Sequence, residues 1–222
     1  MAMEDISMIR GIIMEMDGRA EILAASKSRS AEEMVLAYGA GIRLFGENYV
    51  KEAAGKIDAV RKACPEARFH LIGHLQSNKV RKAIAVFDMI QSIDSLKTAR
   101  MIDSECRKIG KIMPVLIEVN LGEEESKSGC RKAELDGIIE DISCLKGISM
   151  EGLMCIPPES DDADGQRRYF REMKTLFDRA KERYPNIHIL SMGMSNDYKT
   201  ALSEGSNMVR LGTAIFGPRR QN

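Results

Sequence analysis

The sequence predicts an α/β protein with a single domain over residues 1–222, folded as a closed (β/α)8 barrel, or TIM barrel, with an extra N-terminal helix. Three observations predict this fold. Eight short apolar segments alternate with segments of helical periodicity, a pattern typical of parallel strands joined by helical crossovers. No linker or shift in composition divides the chain. Its 222 residues lie near the short end of the range for such barrels.

The predicted elements follow one another regularly along the chain. A first helix is predicted where apolar residues from Ile6 to Met16 recur at helical spacing. Ser30 and Glu33 form a capping-box pattern that starts the helix after the first strand, and Asn48 is predicted to cap the next helix. Because the chain nearly ends with the last strand, the N-terminal helix is expected to replace the missing final helix. The strands are predicted at residues 22–26, 42–45, 68–72, 88–92, 114–119, 148–156, 188–190 and 208–211.

An open, doubly wound sheet is the alternative architecture. Such sheets usually have fewer strands and a glycine-rich first turn that binds a dinucleotide. Here the turn after the first strand is Ser26-Lys27-Ser28, without a G-x-G-x-x-G pattern. The sequence therefore favours the barrel over a dinucleotide-binding fold.

Composition argues against several classes of function. The chain has 33 Lys and Arg against 33 Asp and Glu, and this zero net charge argues against nucleic acid as a partner. No apolar run approaches the roughly 20 residues that a membrane span needs, and the N-terminus lacks the pattern of a secretion signal. The five scattered cysteines are interpreted as reduced thiols, so a cytoplasmic protein is expected. His70 and His74 lie in a predicted strand, where a spacing of four does not favour a metal site.

Polar residues lie where the predicted strands end, and barrels of this kind place their sites at those ends. Lys27 is the central one, because the amine of a partly desolvated lysine can condense with an aldehyde. The other residues at strand ends are Asn48, His74, Asn120, Met154, Ser195, Arg210 and Thr213.

The loops after strands seven and eight carry the parts of a phosphate site. Gly193 and Ser195 follow the seventh strand, and Gly212-Thr213 follows the eighth. A lysine beside a phosphate site indicates a phosphorylated aldehyde or ketone. This leaves a phosphosugar aldolase or a protein that holds pyridoxal 5′-phosphate (PLP). Arg210 would suit a neutral pyridine ring, which is a poorer electron sink than a ring paired with a carboxylate.

Several blocks of sequence resemble the pyridoxal phosphate homeostasis protein family, formerly described as proline-synthase-co-transcribed. The similarity covers nearly the whole chain, and the blocks occur in the family's order. They are Ala25-Ser26-Lys27, Phe45-Gly46-Glu47-Asn48-Tyr49-Val50, residues 70–79, Glu118-Val119-Asn120, Ser126-Lys127-Ser128-Gly129, Gly152-Leu153-Met154, residues 190–195 and residues 209–217.

The resemblance implies an alanine-racemase-like barrel of fold type III, with PLP held as a Schiff base on Lys27. It implies Arg210 near the pyridine nitrogen, and it implies no established catalytic residue. The remaining implied cofactor-binding residues are Ser195, Gly212 and Thr213 at the phosphate, and Asn48 and Met192 close to the cofactor.

The implied role is PLP homeostasis, meaning the binding, buffering and delivery of the cofactor to PLP-dependent apoenzymes. We expect a cytoplasmic monomer or weak homodimer that binds neither nucleic acid nor membranes. A PLP-dependent racemase or related amino-acid enzyme is the alternative. Related racemases need a second domain that supplies a catalytic tyrosine, and none is expected because the chain ends soon after the eighth strand. With one base instead of two, efficient racemisation is not expected, so the protein is not expected to be an enzyme.

Overall fold

The structure, a computed structural model, describes residues 3–124, 127–158 and 163–218. Ser126, in one of the family-like blocks, lies outside the described residues. Eight parallel strands pair in chain order and the eighth pairs with the first, so the predicted closed barrel is confirmed. The strands are β1 (Glu21–Ala25), β2 (Leu44–Glu47), β3 (Arg68–Leu71), β4 (Met89–Ile93), β5 (Met113–Glu118), β6 (Ile148–Met154), β7 (Ile189–Met194) and β8 (Met208–Leu211).

Helices cover the outside of the barrel. A four-residue helix, α9, follows β8, where none was expected. The N-terminal helix α1 packs against α2 and α9, so it does cover the gap left at this place. The helices are α1 (Met3–Met16), α2 (Ala31–Ala40), α3 (Val50–Ala63), α4 (Val80–Val86), α5 (Leu96–Lys108), α6 (Leu135–Ser143), α7 (Ala163–Arg183), α8 (Tyr198–Ser203) and α9 (Thr213–Phe216), with 3-10 turns at Ser77–Lys79 and Lys132–Glu134.

Local capping signals were reliable at one helix and wrong at the next. At α2, Ser30 Oγ accepts a hydrogen bond from the Glu33 N–H, and the Glu33 carboxylate accepts one from the Ser30 N–H, as the capping box predicts. At α3 the prediction that Asn48 is the cap was wrong. Tyr49 occupies the N-cap position, and its side chain makes no capping bond.

Two strands end two or more residues later than the sequence predicts. β2 includes Glu47, and β7 continues through Ser191 and Met192 to Met194. Serine and glycine weaken the local strand signal of β7, but pairing with β6 and β8 holds the backbone extended. Several residues predicted to lie in loops are therefore part of the barrel wall.

The alternation of side chains along each strand creates two separate cores. The larger core lies between the barrel and the helices. The smaller one fills the barrel interior and contains Leu23, Leu44, Ile72, Met89, Leu116, Met154, Ile189 and Met208, with Ala25 against it. A residue two positions along a strand from one of these also faces the interior.

Among the described residues, no helix is both long and apolar enough to cross a membrane. Within the same ranges, no cluster of His, Cys, Asp or Glu side chains has the arrangement of a metal site. His70 is buried on the interior face of β3, whereas the exposed His74 imidazole lies 3.1 Å from the Asp94 carboxylate.

Candidate functional site

Lys27 emerges at the end of β1, two residues beyond Ala25, and is half-buried. It sits in a tight turn closed by a 3.0 Å hydrogen bond from the Arg29 N–H to the Ser26 carbonyl. Ser28 has a φ of 61°, in the left-handed region that few residues other than glycine adopt. Its N–H donates to Glu52 Oε1 at 2.7 Å, a contact that compensates for the strained conformation.

Helix α3 holds the lysine turn in place through Lys56. Its ammonium donates to the Ser26 carbonyl at 2.8 Å and to the Arg29 carbonyl at 3.0 Å. It also pairs with Glu52 at 2.9 Å and with Glu47 at 3.0 Å. The backbone on both sides of Lys27 is therefore held by one largely buried cation on α3.

Glu47 is the buried counterion in this cluster. Its side chain is fully buried on the outer face of β2, where the Ser26 hydroxyl donates to Oε1. Burial raises the pKa of Glu47, and the Ser26 bond and the Lys56 charge oppose that rise. The predicted second strand ends at residue 45, so sequence analysis missed this role of Glu47, which only the strand pairing places beside the lysine turn.

The loops after β7 and β8 meet at one hydroxyl group. Ser195 Oγ accepts hydrogen bonds from the Gly212 N–H at 3.1 Å and the Ala214 N–H at 3.2 Å. A Cβ on Gly212 would lie 3.7 Å from Ala25 Cβ, so this loop is adjacent to the end of β1. Two backbone N–H groups that converge on one acceptor, with a hydroxyl beside them, suit a phosphate oxygen that would take the place of Ser195 Oγ as their acceptor, so the residues present fit a phosphate.

Arg29 joins the lysine turn to the C-terminal end of α9. Its guanidinium donates to the Phe216 carbonyl at 3.1 Å and to the Gly217 carbonyl at 2.6 Å. The paired N–H groups lie at the N-terminal end of the same short helix, so α9 connects them to the lysine turn.

Gly193 has a structural explanation that does not involve an anion. Its φ is 95°, and a Cβ here would approach the Ala201 side chain of α8 to 2.6 Å. Only glycine fits both the backbone conformation and this close packing.

Arg210 lies at the end of β8 with its side chain inside the barrel. Nη1 donates to the Ser191 carbonyl and to Ser191 Oγ, each at 2.8 Å, and Nη2 donates to the Cys155 carbonyl at 2.7 Å. Burial lowers the pKa of Arg210, but a guanidinium stays charged at any physiological pH. The site therefore contains a fixed buried cation.

Glu118 is a second charged group of the interior, and sequence analysis overlooked it as a site residue. It lies two residues beyond the interior Leu116 and is buried. Burial raises its pKa to about 7, although Arg210 opposes the shift, and Asp94 adds to it. The signal was available, since a single carboxylate at the end of a wholly apolar strand is unusual.

The remaining predicted residues take different positions around the strand ends. Asn48 follows β2, and its Oδ1 is buried without a hydrogen-bond partner among the described residues. The Asn120 amide donates to the Glu124 and Lys127 carbonyls and so shapes the loop after β5. Thr213 is exposed at the start of α9. Met192 is buried in the outer core, so any contact with a cofactor would fall to its main chain.

Comparison with known proteins gives a consistent result over nearly the whole chain. The family model described as "Alanine racemase, N-terminal domain" matches residues 9–220. The pyridoxal phosphate homeostasis protein of Vibrio alginolyticus is 41% identical over 201 residues, which are 90% of this chain and 86% of the relative.

Comparison with solved structures leads to the same family and fold. PipY of Synechococcus elongatus, solved with PLP bound, is 32% identical with a TM-score of 0.88, covering 96% of this chain and 100% of that one. PipY without PLP has a TM-score of 0.90 at 33% identity and covers 96% of this chain and 99% of that one. Alanine racemase of Clostridium difficile shares the fold at 16% identity, with a TM-score of 0.82, and the match covers 99% of this chain but 58% of the racemase.

Proposed function

Because this chain belongs to the pyridoxal phosphate homeostasis protein family, we propose that its strand-end site holds PLP covalently on Lys27. The protein binds PLP and acts in PLP homeostasis, as its relatives' names and the PLP-bound PipY structure indicate. One structural observation carries the placement of the cofactor. The N–H groups around Ser195 are adjacent to the end of β1, and Arg29 bonds the lysine turn to the other end of the same short helix, α9.

When bound, PLP would supply an aldehyde for a reversible covalent linkage to a lysine amine, and a phosphate group for anchoring. Lys27 would provide the amine, and the α3 cluster fixes the turn from which its side chain extends. Ser195, Gly212 and Thr213 would hold the phosphate through hydroxyl and backbone N–H groups. Arg210 would lie near the pyridine nitrogen, where its charge disfavours protonation of the ring.

A further part of the proposal is that the protein buffers PLP and delivers it to PLP-dependent apoenzymes in the cytoplasm, acting as a monomer or weak homodimer. A donor of this kind needs to hold its cargo by a reversible bond. The linkage of a lysine amine to an aldehyde is reversible by water or by a competing amine. The relatives' role in homeostasis supports delivery more than turnover.

Reduction of the loaded protein tests the covalent site. Borohydride supplies a hydride that converts the linkage to a stable secondary amine, and peptide mapping then locates the label. We expect the label on the peptide that contains Lys27, together with visible absorption before reduction and its loss afterwards. Lys27→Ala should remove the label from that peptide and weaken binding. Lys127→Ala is the matched control. The Lys127 ammonium lies 2.9 Å from the Glu124 carboxylate, and its removal should leave the label on the Lys27 peptide.

Two results would contradict the proposal in different ways. A wild-type protein that stays colourless with added PLP would overturn cofactor binding. A label found on Lys127 in the wild type would overturn the choice of lysine. Delivery is tested separately by mixing the loaded protein with a PLP-dependent apoenzyme, and no gain of enzyme activity over the free-PLP control would contradict delivery.

A further inference from the structure

A chain of buried polar side chains crosses the barrel interior and ends at Arg210. Ser191 Oγ accepts from Arg210 Nη1 and donates to Gln91 Oε1, both at 2.8 Å. Gln91 Nε2 lies 2.9 Å from His70 Nδ1. The exposed fractions are 4% for His70, 0% for Gln91 and Ser191, and 3% for Arg210, so water does not compete with these bonds.

The direction of the hydrogen bonds along this chain is fixed by chemistry. A guanidinium can only donate, so Ser191 Oγ accepts from it and has its own proton available for Gln91. The Gln91 amide nitrogen also lies 3.2 Å from Met208 Sδ, which can only accept, so the nitrogen faces His70 and the oxygen faces Ser191. Every donor in the chain therefore points away from Arg210.

This direction requires His70 to accept through Nδ1, which means a neutral imidazole with its proton on Nε2. Burial lowers the pKa of His70 to about 4, in agreement with a neutral ring. A protonated His70 would present an N–H to the Gln91 amide, and the amide would have to turn over. The turned amide would place its oxygen against Met208 Sδ, so the contact with sulfur favours the arrangement with a neutral His70.

We propose that Ser191, Gln91 and His70 are positioning residues that hold the Arg210 guanidinium in one orientation toward the bound cofactor. Within the part of the chain that the structure describes, Ser191 supplies two of the acceptors that Arg210 uses, and the Cys155 carbonyl supplies another. Gln91 and His70 act through Ser191, because they fix the direction of its hydroxyl group. This inference rests on the proposed PLP site at Lys27.

A double-mutant cycle on PLP binding tests the inference in the loaded protein. Ser191→Ala should weaken PLP binding about tenfold, the effect of one hydrogen bond to a charged group, and should shift the visible absorption maximum. In an Arg210→Lys background, the same Ser191→Ala change should weaken binding by less than about threefold, because the group it orients is gone. If Ser191→Ala weakened PLP binding by the same factor in both backgrounds, or left the absorption maximum unchanged, the positioning role would be overturned.

Ser206→Ala is the matched control. Ser206 is also a buried serine, and its hydroxyl oxygen lies 2.8 Å from the Met192 carbonyl oxygen, 3.0 Å from that of Met208 and 3.2 Å from that of Leu190. Its single proton can be donated to one of these carbonyls, and among the described residues it is not a hydrogen-bond partner of Arg210. This substitution should lower the denaturation midpoint but leave the PLP affinity and the absorption maximum unchanged. A spectral shift equal to that of Ser191→Ala would mean that any lost buried hydroxyl has the same effect, and would overturn the inference.

Nitrogen NMR of the imidazoles tests the chain without the cofactor. In ligand-free protein at neutral pH, His70 should be neutral with a protonated Nε2, and Gln91→Leu should shift its Nδ1 resonance. A protonated Nδ1 on His70 would contradict the direction of these hydrogen bonds and overturn the inference. A wild-type protein that does not bind PLP would contradict the proposed function, whereas binding with additive mutant effects would contradict this inference alone.

Discussion

Four strands of the barrel change chemistry along the interior. On these strands an apolar interior residue is followed, two positions later, by a polar one, and the pairs are Met89 and Gln91, Leu116 and Glu118, Ile189 and Ser191, and Met208 and Arg210. The four residues nearer the strand starts, here called the apolar half, need no hydrogen-bond partner. The four residues nearer the strand ends, here called the polar half, are costly to bury unless they are hydrogen-bonded.

This difference separates stability from function within one small core. The apolar half contributes burial of hydrophobic surface, which depends on volume and tolerates variation in chemistry. The polar half contributes directed donors and one fixed cation at the face where the lysine turn lies. Substitutions in the apolar half should therefore lower stability without altering the bound cofactor's spectrum, whereas substitutions in the polar half should change PLP binding or the pH dependence of stability.

The largest expected effect on stability comes from the apolar half. Leu116→Ala removes a fully buried side chain from the centre of the interior core. We expect a loss of about 2–5 kcal/mol in the free energy of unfolding, measured by urea denaturation. The absorption maximum of bound PLP should not change while the protein is folded. A spectral shift as large as that of Ser191→Ala would show that the two halves are not separable.

Glu118→Gln tests the polar half through the pH dependence of the free energy of unfolding. The folded-state pKa of Glu118 is raised from 4.5 to about 7, so the folded protein binds this proton more tightly than the unfolded chain does. The associated stability is fully present below pH 4.5 and is lost as the pH rises through 7, by up to about 3 kcal/mol. As the pH rises from 5 to 8, the free energy of unfolding of Glu118→Gln should therefore increase relative to that of the wild type.

Urea denaturation of both proteins at the two pH values measures this difference. His70 and all other titrating groups are the same in wild type and variant, so their contributions largely cancel. Glu140→Gln, in an exposed glutamate of α6, is the control and should show almost no such gain. A Glu118→Gln effect that does not depend on pH would contradict the raised pKa.

The smallest expected effect on stability is at the strand-end loop itself. Gly212 has a negative φ, and a Cβ there would make only ordinary contacts with Ala25, so Gly212→Ala should change stability by less than about 0.5 kcal/mol. We expect PLP binding to weaken about tenfold, because the methyl group would hinder approach of the phosphate to the backbone. Fluorescence titration measures this affinity.

Gly55→Ala is the control for that substitution. Gly55 lies inside α3 with open space around it, so alanine should stabilise the helix and leave the affinity unchanged. Unchanged PLP affinity in Gly212→Ala would remove the Gly212 backbone from the phosphate site.

The sequence by itself determined the architecture and the chemical type of the site. Apolar periodicity defined eight strands and the N-terminal helix, and the capping box at Ser30 marked the start of α2, because these signals are local and depend on neighbouring residues. Lys27 and the loops at Ser195 and Gly212 could be identified because parallel strands of a barrel end on the same face. Their roles toward the cofactor stay predictions.

Only the tertiary structure decided which polar groups meet inside the barrel. Ser191 and Gln91 are 100 residues apart and come into contact because β4 and β7 face each other across the closed interior. The Asn48 cap failed because residue type alone does not fix where a helix begins, and Glu47 was missed because its partner Lys56 lies on α3. Hydrogen bonds need particular distances and directions, and those are set by how the strands close and not by the local pattern.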